Sequence, residues 1–303
     1  MSSVLMKKAI VITGPTASGK SALAIEVARR LDTHIISADS RQIYHGIPIV
    51  TAVPSPEQLA AVPHHLIEVL PLDAYYSASM FEQHALQLCN EIFAENDTVV
   101  VCGGSMMYID AFCNGIDPLP TVPDTIRQQL TELHTVNGNE WLLQRLQELD
   151  PIYYEQVDRN NIKRVFHAVE IIMTAGQPYS TMRTGQKVHR DFEIEKYYID
   201  MPRQQLFERI NNRVDAMVSA GLEEEAAAVS HLRGLNSLNT VGLKEMFAYF
   251  DGEMSRETAI ERIKKNTRVY AKKQMTWFAK DTELLDASIL EKSVLGNEYA
   301  IEY

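Results

Sequence analysis

The run Gly14-Pro15-Thr16-Ala17-Ser18-Gly19-Lys20-Ser21 settles early what kind of fold this chain can adopt. It fits G-x-x-x-x-G-K-[ST] without a gap. The apolar residues 7–13 before it read as a buried strand, and residues 21–31 after it carry apolar side chains at helical spacing. Glycines at the ends of the loop let successive backbone N–H groups turn inward toward anionic oxygens, and the following helix adds its positive end. Lys20 contributes a point charge, and the Ser21 hydroxyl suits Mg²⁺. The eight residues are candidates for holding a polyphosphate, whether a nucleotide such as ATP or a diphosphate.

The strand and helix pattern continues beyond the loop. His34-Ile-Ile-Ser37 reads as a short strand and residues 79–94 as a helix. Thr98-Val-Val-Val-Cys102, closed by Gly103-Gly104, reads as a strand buried on both faces. Such alternation predicts a parallel α/β sheet with crossover helices. A proline-punctuated stretch over 117–123 then introduces a strongly helical region, residues 124–175, before a short extended segment at 195–200 and further helices to about Asp281. The expected architecture is a P-loop NTPase-like parallel core interrupted by a helical insertion. Its segments are residues 1–117, 118–192 and 193–303.

Composition narrows the partners. No run approaches the roughly 20 apolar residues of a membrane helix. Three cysteines without a CxxC pair suit a reducing cytoplasm and offer neither a disulfide framework nor a cysteine zinc site. A net charge of −11 argues against nucleic acid, yet two segments run against it. Arg159, Lys163, Arg164, Arg183, Lys187 and Arg190 face Glu170 alone within residues 159–190. Residues 256–280 are also basic, and Lys264, Arg268 and Lys272 would share one helix face. Such a face is either solvated or tracks phosphates.

The later buried strand ends in Gly103-Gly104-Ser105, without the acid that a nucleoside triphosphatase places there for Mg²⁺. The nearest carboxylate candidate is Asp39 at the end of the second strand. That is where α/β sheets carry their chemistry and equally where an Asp caps a turn or helix. Pro63-His64-His65 hints at a metal pair, but adjacent histidines seldom face one site and no carboxylate follows at ligand spacing, so packing is the expectation. Tyr75-Tyr76 and Tyr197-Tyr198 read as packing as well.

With these blocks in hand, the chain resembles the bacterial tRNA dimethylallyltransferases, also called tRNA isopentenyltransferases, over nearly its whole length. The Thr16-Ala17-Ser18 centre of the loop, Asp39-Ser40-Arg41-Gln42-Ile43-Tyr44, Tyr76-Ser-Ala-Ser-Met-Phe81 and Gly103-Gly-Ser-Met-Met-Tyr108 are similar to consecutive family blocks. So are Val241-Gly-Leu-Lys-Glu245 and Thr267–Phe278 near the C-terminus. The departures are specific: Ser105 replaces a Thr, Lys244 replaces an Arg, and Lys163-Arg-Val-Phe-His167 replaces Gln-Arg-x-x-Arg. Residues 49–54 also lack the lysine of a Gly-Thr-Ala-Lys-Pro stretch.

The resemblance implies transfer of a dimethylallyl group from its diphosphate to N6 of adenosine 37 beside the tRNA anticodon. The cradle would then hold the diphosphate leaving group, with Mg²⁺ at Ser21. Asp39 would take the N6 proton. Arg213, in Arg209-Ile-Asn-Asn-Arg213, and Ser105 would stabilise the departing charge. The tRNA contacts would come from Asp39, Ser40, Arg41, Gln42, Ser105, Arg127, Lys163, Arg164, His167 and Lys244. The helical insertion would be an RNA clamp, and the protein a cytoplasmic monomer away from membranes. Rival readings are a P-loop kinase of a small molecule, an isopentenyltransferase of free adenine nucleotides, and an RNA-binding protein with a vestigial loop.

Overall fold

A computed structural model of the chain describes residues 6–296. The ends of the expected first and last segments, residues 1–5 and 297–303, lie outside the described residues. Parallel strands β1 Lys8–Thr13, β2 Ile35–Ser37, β3 His64–His65, β4 Thr98–Cys102, β5 Glu193–Tyr198 and β6 Leu285–Asp286 build the sheet. Their spatial order is β3-β2-β4-β1-β5-β6, so the expected parallel α/β core forms. Strand β1 lies between β4 and β5, with Ile10 beside Val100 and Glu195.

The strands read as continuous apolar runs because both sheet faces are covered. Ala9, Val11, Val99 and Val101 pack on one side with Phe81 of the helix Ala78–Ile92 and Phe112 of the helix Met106–Asn114. Ile10, Ile12 and Val100 pack on the other with Leu23 and Val27 of the helix Lys20–Arg30. Each such fully buried side chain contributes roughly 1.5–3 kcal/mol by leaving water. The helix Ala78–Ile92 buries Phe81, Ala85, Cys89 and Ile92 at helical spacing, and Ser77 caps its start through the Met80 N–H.

Two strands escape a reading by pattern. β3 and β6 have two residues each, too few to show a period. In β3 the adjacent histidines take different partners: His64 Nδ1 lies 2.8 Å from the Val62 carbonyl, and His65 stacks on His34 with ring nitrogens 2.9 Å apart. Both serve packing.

The chain divides into two compact units, one running to Cys113 and from His189 onward, the other Asn114–Val188. This boundary falls a few residues before the 118–192 read from sequence. Residues at the two crossings pair with one another: the Val188 N–H donates to the Asn114 carbonyl, and Asp117 accepts from the Thr184 hydroxyl and the Thr184 and Gly185 N–H groups. The second unit is helical, as expected, and its longest element, Asp124–Leu149, is broken at Gly138. Its core gathers Leu130, Leu142, Leu146, Val165, Val169 and Ile172.

Both basic segments need correction. Arg190 is not free surface charge: it is partly buried with its side chain 8% exposed, paired with Glu82 at 2.6 Å, and donates to the Ala111 and Phe112 carbonyls. In the second segment, Lys264, Arg268 and Lys272 do share a face, but that face meets the helix Arg203–Ser219. Lys264 pairs with Asp215 at 2.8 Å, Arg268 donates to the Asn211 side chain, and the Lys272 ammonium sits 5.4 Å from the Phe207 ring centroid. Helical spacing shows which residues align, and cannot show what faces them. Breaking a buried ion pair strands its partner, so Arg190→Ala should cost about 3–5 kcal/mol of stability in urea unfolding at pH 7. A loss below about 1 kcal/mol would return Arg190 to the surface patch.

Candidate active site

The loop after β1 is held open by its surroundings. Lys20 curls back so that Nζ donates to the Pro15 carbonyl at 2.7 Å. Burial lowers its ammonium to about 8; Cys102 and Asp39 oppose that shift, and Arg213 adds to it. Lys20 therefore sits within electrostatic reach of both Asp39 and Arg213. The Ser18 hydroxyl is buried and has no hydrogen-bond partner among the described residues. An orphaned buried hydroxyl costs about 1–3 kcal/mol, a cost that an oxygen-rich ligand in the loop would relieve. Ser21 is exposed on the first helical turn.

Two side chains that motif reading did not single out brace this loop. Gln274, buried in the helix Arg256–Phe278, accepts from the Thr16 N–H at 2.9 Å and donates to the Gly104 carbonyl at 2.8 Å. Arg209 donates from Nε to the Ala17 carbonyl at 2.8 Å. The turn after β4 is equally constrained. A Cβ on Gly103 would stand 2.1 Å from the Ala38 carbonyl oxygen, and one on Gly104 would stand 2.4 Å from Gln274 Nε2. Thr13 Oγ1 donates to the Gly103 carbonyl, tying the two turns together. Gln274 had one legible signal: it is the polar member of the stripe Ala271, Gln274, Phe278 on an otherwise apolar face.

Asp39 caps its turn and also lines a cleft, so the two sequence readings are compatible. Its Oδ1 accepts from the Arg41 N–H at 2.8 Å and the Gln42 N–H at 3.3 Å. Its Oδ2 accepts no hydrogen bond from the described residues. Ser105 is buried, and its hydroxyl oxygen accepts from the Ser40 N–H at 2.8 Å. That fixes the Asp39 turn against the end of β4 and leaves the hydroxyl proton for a ligand. Gln42 turns away: its amide joins Ser37 Oγ to the Thr51 and Ala52 carbonyls. The Arg41 guanidinium donates to the Asn236 and Asn239 carbonyls.

These groups open onto a cleft of about 360 Å³ whose lining includes Thr16, Asp39, Ser40, Arg41, Arg213 and Lys244. Arg213 is partly buried; desolvation lowers its pKa, and the Asp39 charge opposes that shift. Val50, Val214, Met217, Leu222 and Ile263 give the same cleft an apolar wall. Glu225 holds Val50 in place by accepting from the Ile49 and Val50 N–H groups at 2.7 and 2.8 Å. Tyr270 also lines the cleft, and burial, then the Asp39 charge, push its phenol up to about 12.

The remaining predicted contacts belong to the helical unit. Lys163, Arg164 and His167 are exposed on the first turns of the helix Ile162–Ala175. His167 Nδ1 lies 2.9 Å from Glu170, and Arg127 reaches the same carboxylate at 3.3 Å. Burial raises the Glu170 pKa, but hydrogen bonds and charge from His167 and Arg127 outweigh it and leave the group below its usual range. The lone acid of the first basic segment therefore anchors two candidate RNA contacts, His167 within the segment and Arg127 outside it.

Comparison with known proteins now has a geometry to meet. The model of the IPP transferase family matches residues 42–281. The protein named tRNA dimethylallyltransferase 2 of Parabacteroides distasonis is 51% identical over 279 residues, spanning 92% of this chain and 93% of the relative. The one named tRNA dimethylallyltransferase 1 of Bacteroides thetaiotaomicron is 48% identical, spanning 92% and 91%. The crystal structure of the tRNA isopentenylpyrophosphate transferase of Bacillus halodurans has a TM-score of 0.67 at 33% identity, covering 92% of this chain and 89% of that one. A eukaryotic dimethylallyltransferase acting on tRNA shares the fold with a TM-score of 0.81 at 24% identity, covering 96% and 77%. With a family match over most of the chain and relatives about half identical over nine-tenths of it, this chain belongs to the IPP transferase family.

Proposed function

We propose that this protein transfers a dimethylallyl group from dimethylallyl diphosphate to N6 of adenosine 37 in the tRNA anticodon loop. The observation that carries the reading is the cleft itself, where Asp39, Arg213 and the loop residue Thr16 share one space with an apolar wall. A phosphate end, a branched five-carbon group and a base each find a matching surface there. The lineage of the chain favours prenyl transfer over the kinase reading.

An exocyclic adenine amine is a weak nucleophile because its lone pair is delocalised into the ring. The electrophile must therefore be strong, and an allylic carbon is, since positive charge spreads over the allyl system as the C–O bond stretches. N6 attacks C1, the C1–O bond breaks, and its electron pair leaves on the diphosphate. Lys20, Arg213, the loop N–H groups and the Ser105 hydroxyl are set to favour that developing charge over the ground state. The N6 proton passes to Asp39 Oδ2, because Oδ1 is already committed to the turn. The target base leaves its stack to reach the cleft, at roughly a few kcal/mol.

Mg²⁺ fits these residues in a limited way. The described residues hold no cluster of three His, Cys, Asp or Glu side chains, so Ser21 would be its protein contact and diphosphate and water would complete the shell. When bound, it would neutralise diphosphate charge. Lys163, Arg164, His167 and Arg127 of the helical unit, with Lys244 at the cleft, are the proposed RNA contacts. We place the protein in the cytoplasm, as a monomer, on its free cysteines and its RNA substrate. No helix among the described residues is long and apolar enough to cross a membrane.

Parallel incubations with Mg²⁺ and unmodified tRNA test the reading, one with labelled dimethylallyl diphosphate and one with γ-labelled ATP. Allyl label at the adenosine beside the anticodon supports it; label or phosphate release from ATP alone overturns it. Asn at position 39 keeps an Oδ1 acceptor for the turn and loses the base. Asp39→Asn should therefore lower kcat about 10²–10⁴-fold with tRNA affinity within about twofold of wild type. An equal loss in both would remove Asp39 as the proton acceptor. Lys20 predicts a pH dependence. Its ligand-free pKa is lowered to about 8, and an anion favours the charged form, so diphosphate binding takes up a proton above that pH. The KM for dimethylallyl diphosphate should be flat below pH 8 and rise by up to about tenfold per pH unit above it. That inflection should vanish in Lys20→Met.

A further inference from the structure

We propose that Val50 limits the transferred group to five carbons by closing the apolar end of the cleft, a reading that rests on prenyl transfer and adds what sets the chain length. Against the family stretch Gly-Thr-Ala-Lys-Pro, residues Val50-Thr51-Ala52-Val53-Pro54 put a branched side chain where the glycine stands. That side chain lines the cleft with Met217, Leu222 and Ile263. None of the four is aromatic. Such a wall suits a branched hydrocarbon, whereas a base gains most from an aromatic face. The groups also follow one another in a useful order. Arg213, the cation for the diphosphate, lies on the helix Arg203–Ser219, and Met217 follows it by four residues, about 6 Å along the axis at about 1.5 Å per residue. Leu222 opens the next helix, Leu222–Val229. A chain that starts beside Arg213 and passes Met217 meets Leu222 and Val50 within one five-carbon unit. A second such unit would need the space that the Val50 side chain fills.

The wall has little freedom to yield. Glu225 accepts from the Ile49 and Val50 N–H groups at 2.7 and 2.8 Å. At the other end of the short helix Pro48–Thr51, the Gln42 amide donates to the Thr51 and Ala52 carbonyls at 3.2 and 3.0 Å. Behind the side chain, Val50 Cγ2 occupies the place where a Cβ on Gly242 would stand. Gly242 has a φ of +103°, a conformation open to glycine, and its N–H donates to Glu245 Oε2 at 2.8 Å. Gln42 thus gains a task that its place beside Asp39 does not suggest: it fixes the turn that carries the wall. Against a wall held in this way, one methylene too many is worth about 10–200-fold in kcat/KM.

The test uses the full chain with unmodified tRNA and either dimethylallyl diphosphate or geranyl diphosphate, its ten-carbon allylic counterpart. The bond changes are the same for both donors: N6–C1 forms, C1–O breaks with its electron pair leaving on the diphosphate, and the N6 proton passes to Asp39. The readout is the ratio of kcat/KM for the ten-carbon donor to that for the five-carbon donor, with the product identified by the mass of the modified adenosine. Val50→Ala should raise this ratio about tenfold or more, and Val50→Gly further. Val53→Ala, in the same stretch but outside the cleft lining, should leave it unchanged. Val50→Ile adds one methylene and should lower kcat/KM for dimethylallyl diphosphate about 10–200-fold, with the KM for tRNA within about twofold of wild type. That arm decides the matter should the smaller side chains fold poorly by circular dichroism. An unchanged ratio in folded Val50→Ala and Val50→Gly overturns the assignment and leaves the activity standing. So does wild type that uses both donors equally. A changed KM for tRNA at constant ratio shows that the wall faces the base and overturns it likewise. Wild type that labels tRNA with neither donor overturns prenyl transfer and this assignment together.

Discussion

The site depends on the side-chain amide of Gln274. Its oxygen takes the Thr16 N–H of the phosphate loop, and its nitrogen gives to the Gly104 carbonyl of the turn after β4. Both partners are backbone groups, and the Gly104 carbonyl would otherwise be buried and unpaired at about 1–3 kcal/mol. One side chain thus locks the helix Arg256–Phe278 to the phosphate loop and to the turn after β4. Gly104 has no Cβ because Gln274 already occupies that space. The same helix carries Tyr270 at the cleft, so the loop and the cleft wall share one element.

Charge is used here in layers. Some cations of the two basic segments, and Arg127 outside them, are committed to partners within the protein. Arg190 is spent on Glu82 and two carbonyls, Lys264 on Asp215 and Glu261, and Arg127 and His167 share Glu170. Around the cleft, Lys20 and Arg213 are desolvated with only Asp39 as nearby opposite charge, and both pKa values fall. Two desolvated cations facing one carboxylate leave a surplus of positive potential, which favours an anion in the cleft. An acidic chain can therefore bind anionic ligands, because local geometry outranks net charge.

Much of this was legible in sequence where local pattern and geometry coincide. The loop from Gly14 to Ser21 dictates its own strand and helix, and the Val-rich run before Cys102 announces burial on both faces. Asp39 was legible as a candidate, although its two readings turned out to be one arrangement. Pattern failed where a contact lies far off in the chain. Gln42 sits in a motif beside Asp39, yet its amide is used up on Thr51 and Ala52. Arg209 and Gln274 are separated from the loop by more than 190 residues and carry no local signature of touching it.

The amino-acid sequence by itself determined the α/β class, the phosphate loop and the helical character of residues 124–175, because each follows from neighbours a few positions apart. It also determined the family resemblance, which is a property of residue order. Tertiary structure alone decided that the strands ending in the loop, the Gly-Gly-Ser turn and Asp39 lie side by side as β1, β4 and β2, although the chain makes them in another order. It alone decided which face of the terminal helix is covered. The physical reason is the same in both cases: strand order and helix docking are settled by burial of distant apolar surfaces against one another, and no local period encodes the partner.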